Sequence, residues 1–266
     1  MIPEEVKKLF NAFGTGEPLI GGQGSSYKFR NVVIKPVWDK ALYEFVSPIY
    51  NSLKQRGYRI SKHLKSKNNN FVESGFGATS FEPGFNEKSR LKEKLYISRL
   101  FHEDLKKTKI KKLPEPNNPW NLANEIIWNY KEIPKNTNKK YKKYFEEIIN
   151  KLPKIKDEFQ LIHADIGGNI LFHKSFDPLI IDFSPVIGPV KYSDSIMICD
   201  EIAWDDANIE SLFILSPFEE YIPYIKYAIA FRIVTAVLHK DFSDKNFLSE
   251  YNAYMKIWNF IKSIEK

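Results

Sequence analysis

The 266-residue sequence has a single cysteine, Cys199, and therefore no intrachain disulfide. One lone thiol suits a reducing cytoplasm, which is the expected location. None of its five histidines (His63, His102, His163, His173, His239) has the HExxH or His–Cys spacing of a zinc site. No apolar run approaches the roughly 18–20 residues of a membrane span. The opening "MIPEEVKKLF" lacks the basic-then-apolar order of a secretion signal, so no membrane partner is expected. Internal repeats and long low-complexity tracts are also missing. What remains is an ordinary folding chain, 43% hydrophobic, ample for one or two cores.

The net charge of +7 admits a nucleic-acid partner, but its distribution argues against one. Much of the excess lies in "LKKTKIKKLP" and "NKKYKKYFEE", on helical ends or loops, with no RNA-recognition or zinc-finger signature beside it.

Residues 1–83 read as mostly β. "PLIGG", "SYKFR", "VVIKPV", "FVES" and "FGATSFEPG" are short strand-like runs separated by turn residues. Among them lies one helix, with Asp39 as N-cap, Gly57 as C-cap and Leu42, Phe45, Val46, Ile49 and Leu53 at helical spacing. Pro48 is expected to kink or split it. Residues 84–266 read as helical, with leucines at 91, 95, 100 and 105 and later runs such as "PWNLANEIIWNY" and "FEEYIPYIKYAIAFRIVTAVLH". A β-rich part followed by a helical part predicts an α+β protein with a first domain over 1–83 and a second over 84–266.

One hairpin is embedded in the second part, in "LIHADIGGNILFHKSFDPLIIDFSP". Pairing Phe172 with Leu179 would set Asn169 opposite Asp182, at a Cβ separation of about 4.5–5.5 Å. An amide oxygen and a carboxylate so placed would grip one hard cation, and Mg²⁺ fits such ligands. Asp165, four residues before Asn169, suits a carboxylate that accepts a proton from a hydroxyl. Turn and cap chemistry is the alternative for Asp165 and Asp182. His163 reads as a buried prop rather than a base.

Earlier in the chain, "GGQGSSYKFRNVVIKPV" offers Gly21, Gly22 and Gly24, whose backbone N–H groups can approach an anion. Ser25 and Ser26 add hydroxyls, and Lys35 would reach phosphates from the end of an apolar strand. The alternative is a glycine-rich hairpin turn with an edge lysine. Glu44 on the following helix is the nearest acidic partner for Lys35, or else a solvent-facing glutamate.

Together these residues resemble the protein-kinase-like aminoglycoside phosphotransferase and choline kinase superfamily. "HADIGGN" is similar to its catalytic-loop pattern His-Gly-Asp-x-x-x-x-Asn, one residue shorter, and "IIDFSP" to its Ile-Asp-Phe metal segment. The glycine loop and Lys35 precede them in the right order, and "RLFHEDL" resembles the family's first long helix after the hinge. The resemblance spans roughly residues 18–204. It implies a two-lobed fold and γ-phosphoryl transfer from ATP or GTP to a hydroxyl. Asp165 would be the base, Asn169 and Asp182 the Mg²⁺ ligands and Lys35 the phosphate contact. Ala78 to Glu82 would be the hinge that receives the base of the nucleotide. Asp194 and Asp200 compete for the family's later aspartate. A catalytically silent nucleotide-binding regulator is the other function consistent with the resemblance, but every essential residue type is present. No Ala-Pro-Glu motif follows Asp182, which disfavours protein acceptors.

Between Tyr192 and Ile225 stand eight acids and no lysine or arginine (Asp194, Asp200, Glu201, Asp205, Asp206, Glu210, Glu219, Glu220). In the kinase-like fold this segment borders the acceptor, so a cationic, amine-bearing acceptor is expected. The alternative is a solvent-facing set on one helix and its flanking loops.

Overall fold

The computed structural model describes residues 2–19, 25–129, 132–134, 139–239 and 243–265. It begins with α1 (Glu4–Leu9), a helix within the part that reads as mostly β. Val6 and Phe10 carry this short element into a core with Ile2, Ala12, Phe29, Ile34 and Ala78. Next come β1 (Glu17–Pro18), β2 (Tyr27–Phe29), β3 (Val32–Pro36), α2 (Lys40–Asn51), β4 (Arg59–Ile60), β5 (His63–Leu64), β6 (Val72–Glu73) and β7 (Phe76–Ser80). Strand order in the first sheet is β1-β2-β3-β7-β5, with β6 also on β7 and every pairing antiparallel. Alternation along β3 buries Ile34 in the core and turns Lys35 to the other face.

Helix α2 starts as expected, since the Asp39 carboxylate accepts the Leu42 N–H at 3.0 Å. It ends at Ser52 rather than Gly57, which lies in the following turn with φ +75°. Pro48 sits within the helix without splitting it, and the helix stops three residues later. Leu42, Val46, Tyr50 and Leu53 are buried, whereas Phe45 is exposed.

The chain continues through β8 (Phe85–Asn86), α3 (Leu91–Lys106), α4 (Pro119–Asn129), α5 (Lys139–Ile149), β9 (Gln160–His163), a 3₁₀ turn (Gly167–Asn169), β10 (Ile170–Phe172) and β11 (Leu179–Ile180). It ends with β12 (Pro185–Gly188), α6 (Val190–Trp204), a second 3₁₀ segment (Ile209–Ile214), α7 (Phe218–Leu238) and α8 (Asp244–Ile264). The hairpin register differs by one residue from the expected one. Ile170 pairs with Ile180 and Leu171 with Leu179, so Asn169 faces Ile181, whose N–H it accepts at 3.0 Å. The reason is a third strand: β4 runs parallel to β11 and sets Ile60 beside Ile180. Ile60, Ile180 and Ile170 then form one buried row across three strands, while Leu171 is left half-buried.

Two compact units result. The first comprises Met1–Asn86, Leu113–Glu115 and Asn169–Phe183; the second comprises Glu87–Lys112, Pro116–Gly168 and Ser184–Lys266. The 169–183 hairpin joins the first unit because β10 pairs with β8 and β11 with β4. The second unit is mainly helical, with β9 and β12 as its two-stranded sheet. Among the described residues one helix, Phe218–Leu238, is long and apolar enough to cross a membrane by length and composition, although charged residues interrupt it. In this fold 72% of its 18-residue apolar window is buried within the protein.

Candidate functional site

In the first unit Lys35 and Asp182, 147 residues apart in sequence, form an ion pair. The lysine comes from β3, and the aspartate follows β11 with φ +52°, a left-handed conformation that aspartate tolerates better than most residues. Helix α2 holds this turn. The Tyr50 hydroxyl donates to the Ile180 carbonyl at 2.8 Å, and its ring stacks on Phe183 with centroids 5.2 Å apart. Asn169 lies at the same end of the hairpin, offset by one residue from Asp182 rather than directly opposite it.

Glu44 is not the partner of Lys35. Its carboxylate accepts the backbone N–H groups of Phe71 and Val72 at 3.0 and 2.9 Å, and so fixes the start of β6 to α2. Two turns of the same helix face hold β5: Ser47 Oγ lies 2.7 Å from His63 Nδ1, and Asn51 exchanges two hydrogen bonds with the His63 backbone. Gly22 and Gly24, with Gly21, lie outside the described residues. Ser25 and Ser26 are described on the β2 side of that loop, where the Leu19 N–H donates to the Ser26 carbonyl at 3.0 Å. Ala78 is fully buried, paired with Ile34 and with Leu64, so it is a core position rather than one open to a nucleotide. The half-exposed end of that segment is Ser80–Glu82, where Glu82 takes Arg59 at 3.2 Å.

In the second unit Asp165 follows β9. His163, fully buried, is the prop that its sequence position predicts: its Nδ1 accepts the Asp165 N–H at 3.1 Å, and its carbonyl accepts Ser193 Oγ at 2.6 Å. The His163 N–H in turn donates to His102 Nε2 at 3.0 Å. Gly167 allows the turn to approach α6, because a Cβ there would come within 3.0 Å of Met197 Cγ. The Asp165 carboxylate accepts from Arg232 at 2.5 Å, and Arg232 also pairs with Asp200. Burial raises the Asp200 carboxyl above its ordinary range, with Arg232 working against that rise.

The acidic run does not form a bare negative surface. Asp194 pairs with Arg99, Asp200 with Arg232, Glu201 with Lys94, Asp205 with Lys88 and Glu220 with Lys191. Nor do these acids simply face solvent, since Asp194 and Glu201 are buried. The cations come from outside the run, so a sign count along the sequence could not see them.

A RIO-domain family model matches residues 122–200, less than half of the chain. No curated protein matches the chain in sequence. Among solved structures it is similar to the choline kinase LicA from Streptococcus pneumoniae, with 14% identity and a TM-score of 0.58 over 98% of this chain and 97% of that one. It is similar also to the aminoglycoside phosphotransferase APH(4)-Ia, with 12% identity and a TM-score of 0.61 over 98% and 97%. The AMP-bound spectinomycin phosphotransferase APH(9)-Ia gives 14%, 0.56, 96% and 93%.

The chain has a protein-kinase-like fold.

Within this kinase-like frame, motif reading missed Arg232, which binds Asp165, Tyr254, which binds Asp200, and Glu250, which Arg232 and Asp200 influence. Arg232 carried a usable signal: a lone arginine inside "YAIAFRIVTAVL" is buried with the helix and requires acidic partners. Glu250, half-buried on α8, has no hydrogen-bond or ion-pair partner among the described residues. Burial pushes its carboxyl up to about 7, with Arg232 opposing and Asp200 adding to the shift.

Two neutral histidines make the kinase-like chain acid-sensitive. His63 is held down to about 3 by burial and by Lys35, partly offset by Asp182; His102 is held at about 3 by burial and by His163. Unfolded histidine protonates near 6.5, so this stability is fully present above 6.5 and is lost as pH falls from there towards 3. Each ring is expected to remove about 1.4 kcal/mol per pH unit in that window. In the second unit Asp194 and Glu250, raised to about 6 and about 7, protonate first in the folded chain and offset the loss from His102. The first unit should therefore lose hydrogen-exchange protection at pH 5, relative to pH 7, before the second. Equal loss in β5–β7 and in α3 and β9 would refute this.

Proposed function

We propose that the protein is a cytoplasmic small-molecule kinase, transferring the γ-phosphoryl group of ATP or GTP to a hydroxyl of an amine-bearing acceptor. The observation that carries the reading is the Lys35–Asp182 pair. Two residues far apart in sequence, assigned to phosphate and metal by their motifs, meet on a turn that α2 holds in place. The similar structures support it, being a choline kinase and aminoglycoside or spectinomycin phosphotransferases by name, and a further APH(4)-Ia structure is a complex with ADP and hygromycin B.

In this reading Lys35, Ser25 and Ser26 bind phosphate oxygens, and the chain near Ser80–Glu82 receives the nucleotide base. Asn169 and Asp182 offer an amide and a carboxylate oxygen, the hard donor set that suits Mg²⁺. A metal so held would neutralise charge on the phosphates. Asp165 accepts the proton of the acceptor hydroxyl as that oxygen bonds to the γ-phosphorus. The bond from phosphorus to the bridging oxygen breaks, and the nucleoside diphosphate leaves. Glu250, half-buried and without a hydrogen-bond or ion-pair partner among the described residues, would hold the amine of the acceptor through its deprotonated form, which its raised carboxyl reaches above about 7. Glu250→Gln should raise the acceptor KM with little change in kcat, and added salt should do the same. A neutral acceptor indifferent to both would remove the amine and leave the kinase.

Nucleotide should stabilise the protein only with Mg²⁺ present, by about 2.7 kcal/mol at 100 times its Kd. Asp182→Ala should abolish most of that gain in a thermal-shift measurement. Equal shifts with and without Mg²⁺, in both proteins, would refute the assignment of Asp182.

A further inference from the structure

We infer that Arg232 is a positioning residue for Asp165, aiming its carboxylate from α7 through a bridge to Asp200. The inference rests on the kinase reading for the role of Asp165, but the bridge itself is geometric. The guanidinium donates to Asp165 Oδ1 at 2.5 Å and through Nε to Asp200 Oδ1 at 3.0 Å, and it also reaches Asp200 Oδ2. Its planar fork thus spans two carboxylates from two elements, which a lysine ammonium cannot reproduce. The far end is fixed as well. The Tyr254 hydroxyl of α8 donates to Asp200 Oδ1 at 2.7 Å and accepts Trp204 Nε1–H at 3.0 Å.

Packing alone does not call for an arginine here. Phe231, Ile233 and Val234 around it are fully buried, and the Arg232 side chain is only 13% exposed. An apolar side chain would fill this stretch of α7 without the desolvation that a guanidinium suffers. Burial would lower the pKa of Arg232, but Asp200 and Asp165 outweigh it and keep the charge in place. What arginine adds is direction. The backbone at Asp165 is set by His163 and by the Ala164 N–H to Ser184 carbonyl bond at 2.9 Å, while Arg232 sets the carboxylate.

The test compares Arg232→Lys and Arg232→Gln with wild type in acceptor turnover and nucleotide KM. Both variants should lose about 10–100-fold in kcat, the range that loss of alignment produces, with nucleotide KM near wild type. Folded variants with unchanged kcat would overturn the inference. Should neither fold, Tyr254→Phe removes one bond to Asp200 while keeping the ring; a smaller fall in kcat at constant KM supports the bridge, and no fall overturns it. A cycle of Asp165→Asn and Arg232→Gln, read as thermal midpoints, needs no activity. Non-additive shifts are expected from a direct contact, and additive ones would overturn it. If the wild type phosphorylates no acceptor, the kinase reading fails while this cycle still decides whether Arg232 holds Asp165.

Discussion

Replacing Lys94 by methionine is expected to cost about 3–5 kcal/mol of stability, the largest effect of any single substitution considered. Lys94 on α3 and Glu201 on α6 pair inside the second unit, with side chains 0% and 1% exposed. The second carboxylate oxygen of Glu201 has no hydrogen-bond partner among the described residues. Burial already raises the Glu201 carboxyl, and Lys94 is what holds it down. Without Lys94 the carboxylate must stay charged and alone or take up a proton, and either is costly. The double variant Lys94→Met/Glu201→Leu should recover most of the loss, because matched apolar side chains avoid both desolvation terms. Urea unfolding of the four proteins reads the cycle. A single variant that loses less than about 1 kcal/mol, the level of an exposed pair, would mean that this pair is not buried as described.

Asp165→Asn should leave nucleotide affinity near wild type while kcat falls about 10²–10⁴-fold. The two effects separate because Lys35 and Asp182 belong to the first unit, whereas Asp165 belongs to the second. Asparagine keeps the size and still accepts a hydrogen bond from Arg232, but it cannot take the hydroxyl proton. Unchanged turnover would make Asp165 a structural anchor for Arg232 and Asp200, and the base would have to be sought elsewhere.

The local signals in the sequence were legible where one residue sets a local geometry. Asp39 marks the start of α2, and the alternation of "VVIKP" places Ile34 and Lys35 on opposite faces of β3. Signals that depend on distant partners were not. The hairpin register turns on Ile60, more than a hundred residues away, which aligns its isoleucines into one row. Glu44 serves two backbone N–H groups of a turn that its own sequence neighbourhood does not reveal. Helix α6 was not picked out as a run of its own within the helical part because it buries Ser193, Asp194 and Ser195 as well as Ile196 to Ile198, leaving no polar face to mark it. The motifs named Lys35 and Asp182, and the fold brings these two together. The contacts that tie Asp165 to Arg232, Asp200 and Tyr254 were not legible, although Asp200 itself was a candidate, since they join three helices and a loop.

The most direct test of the central claim is phosphorus NMR of ATP and GTP incubated with Mg²⁺, the protein and a library of small alcohols and amino alcohols. The account predicts a new phosphomonoester and an equal amount of nucleoside diphosphate with at least one acceptor, and neither with Asp165→Asn. Nucleotide left intact across the library, or transfer that survives in Asp165→Asn, would contradict it.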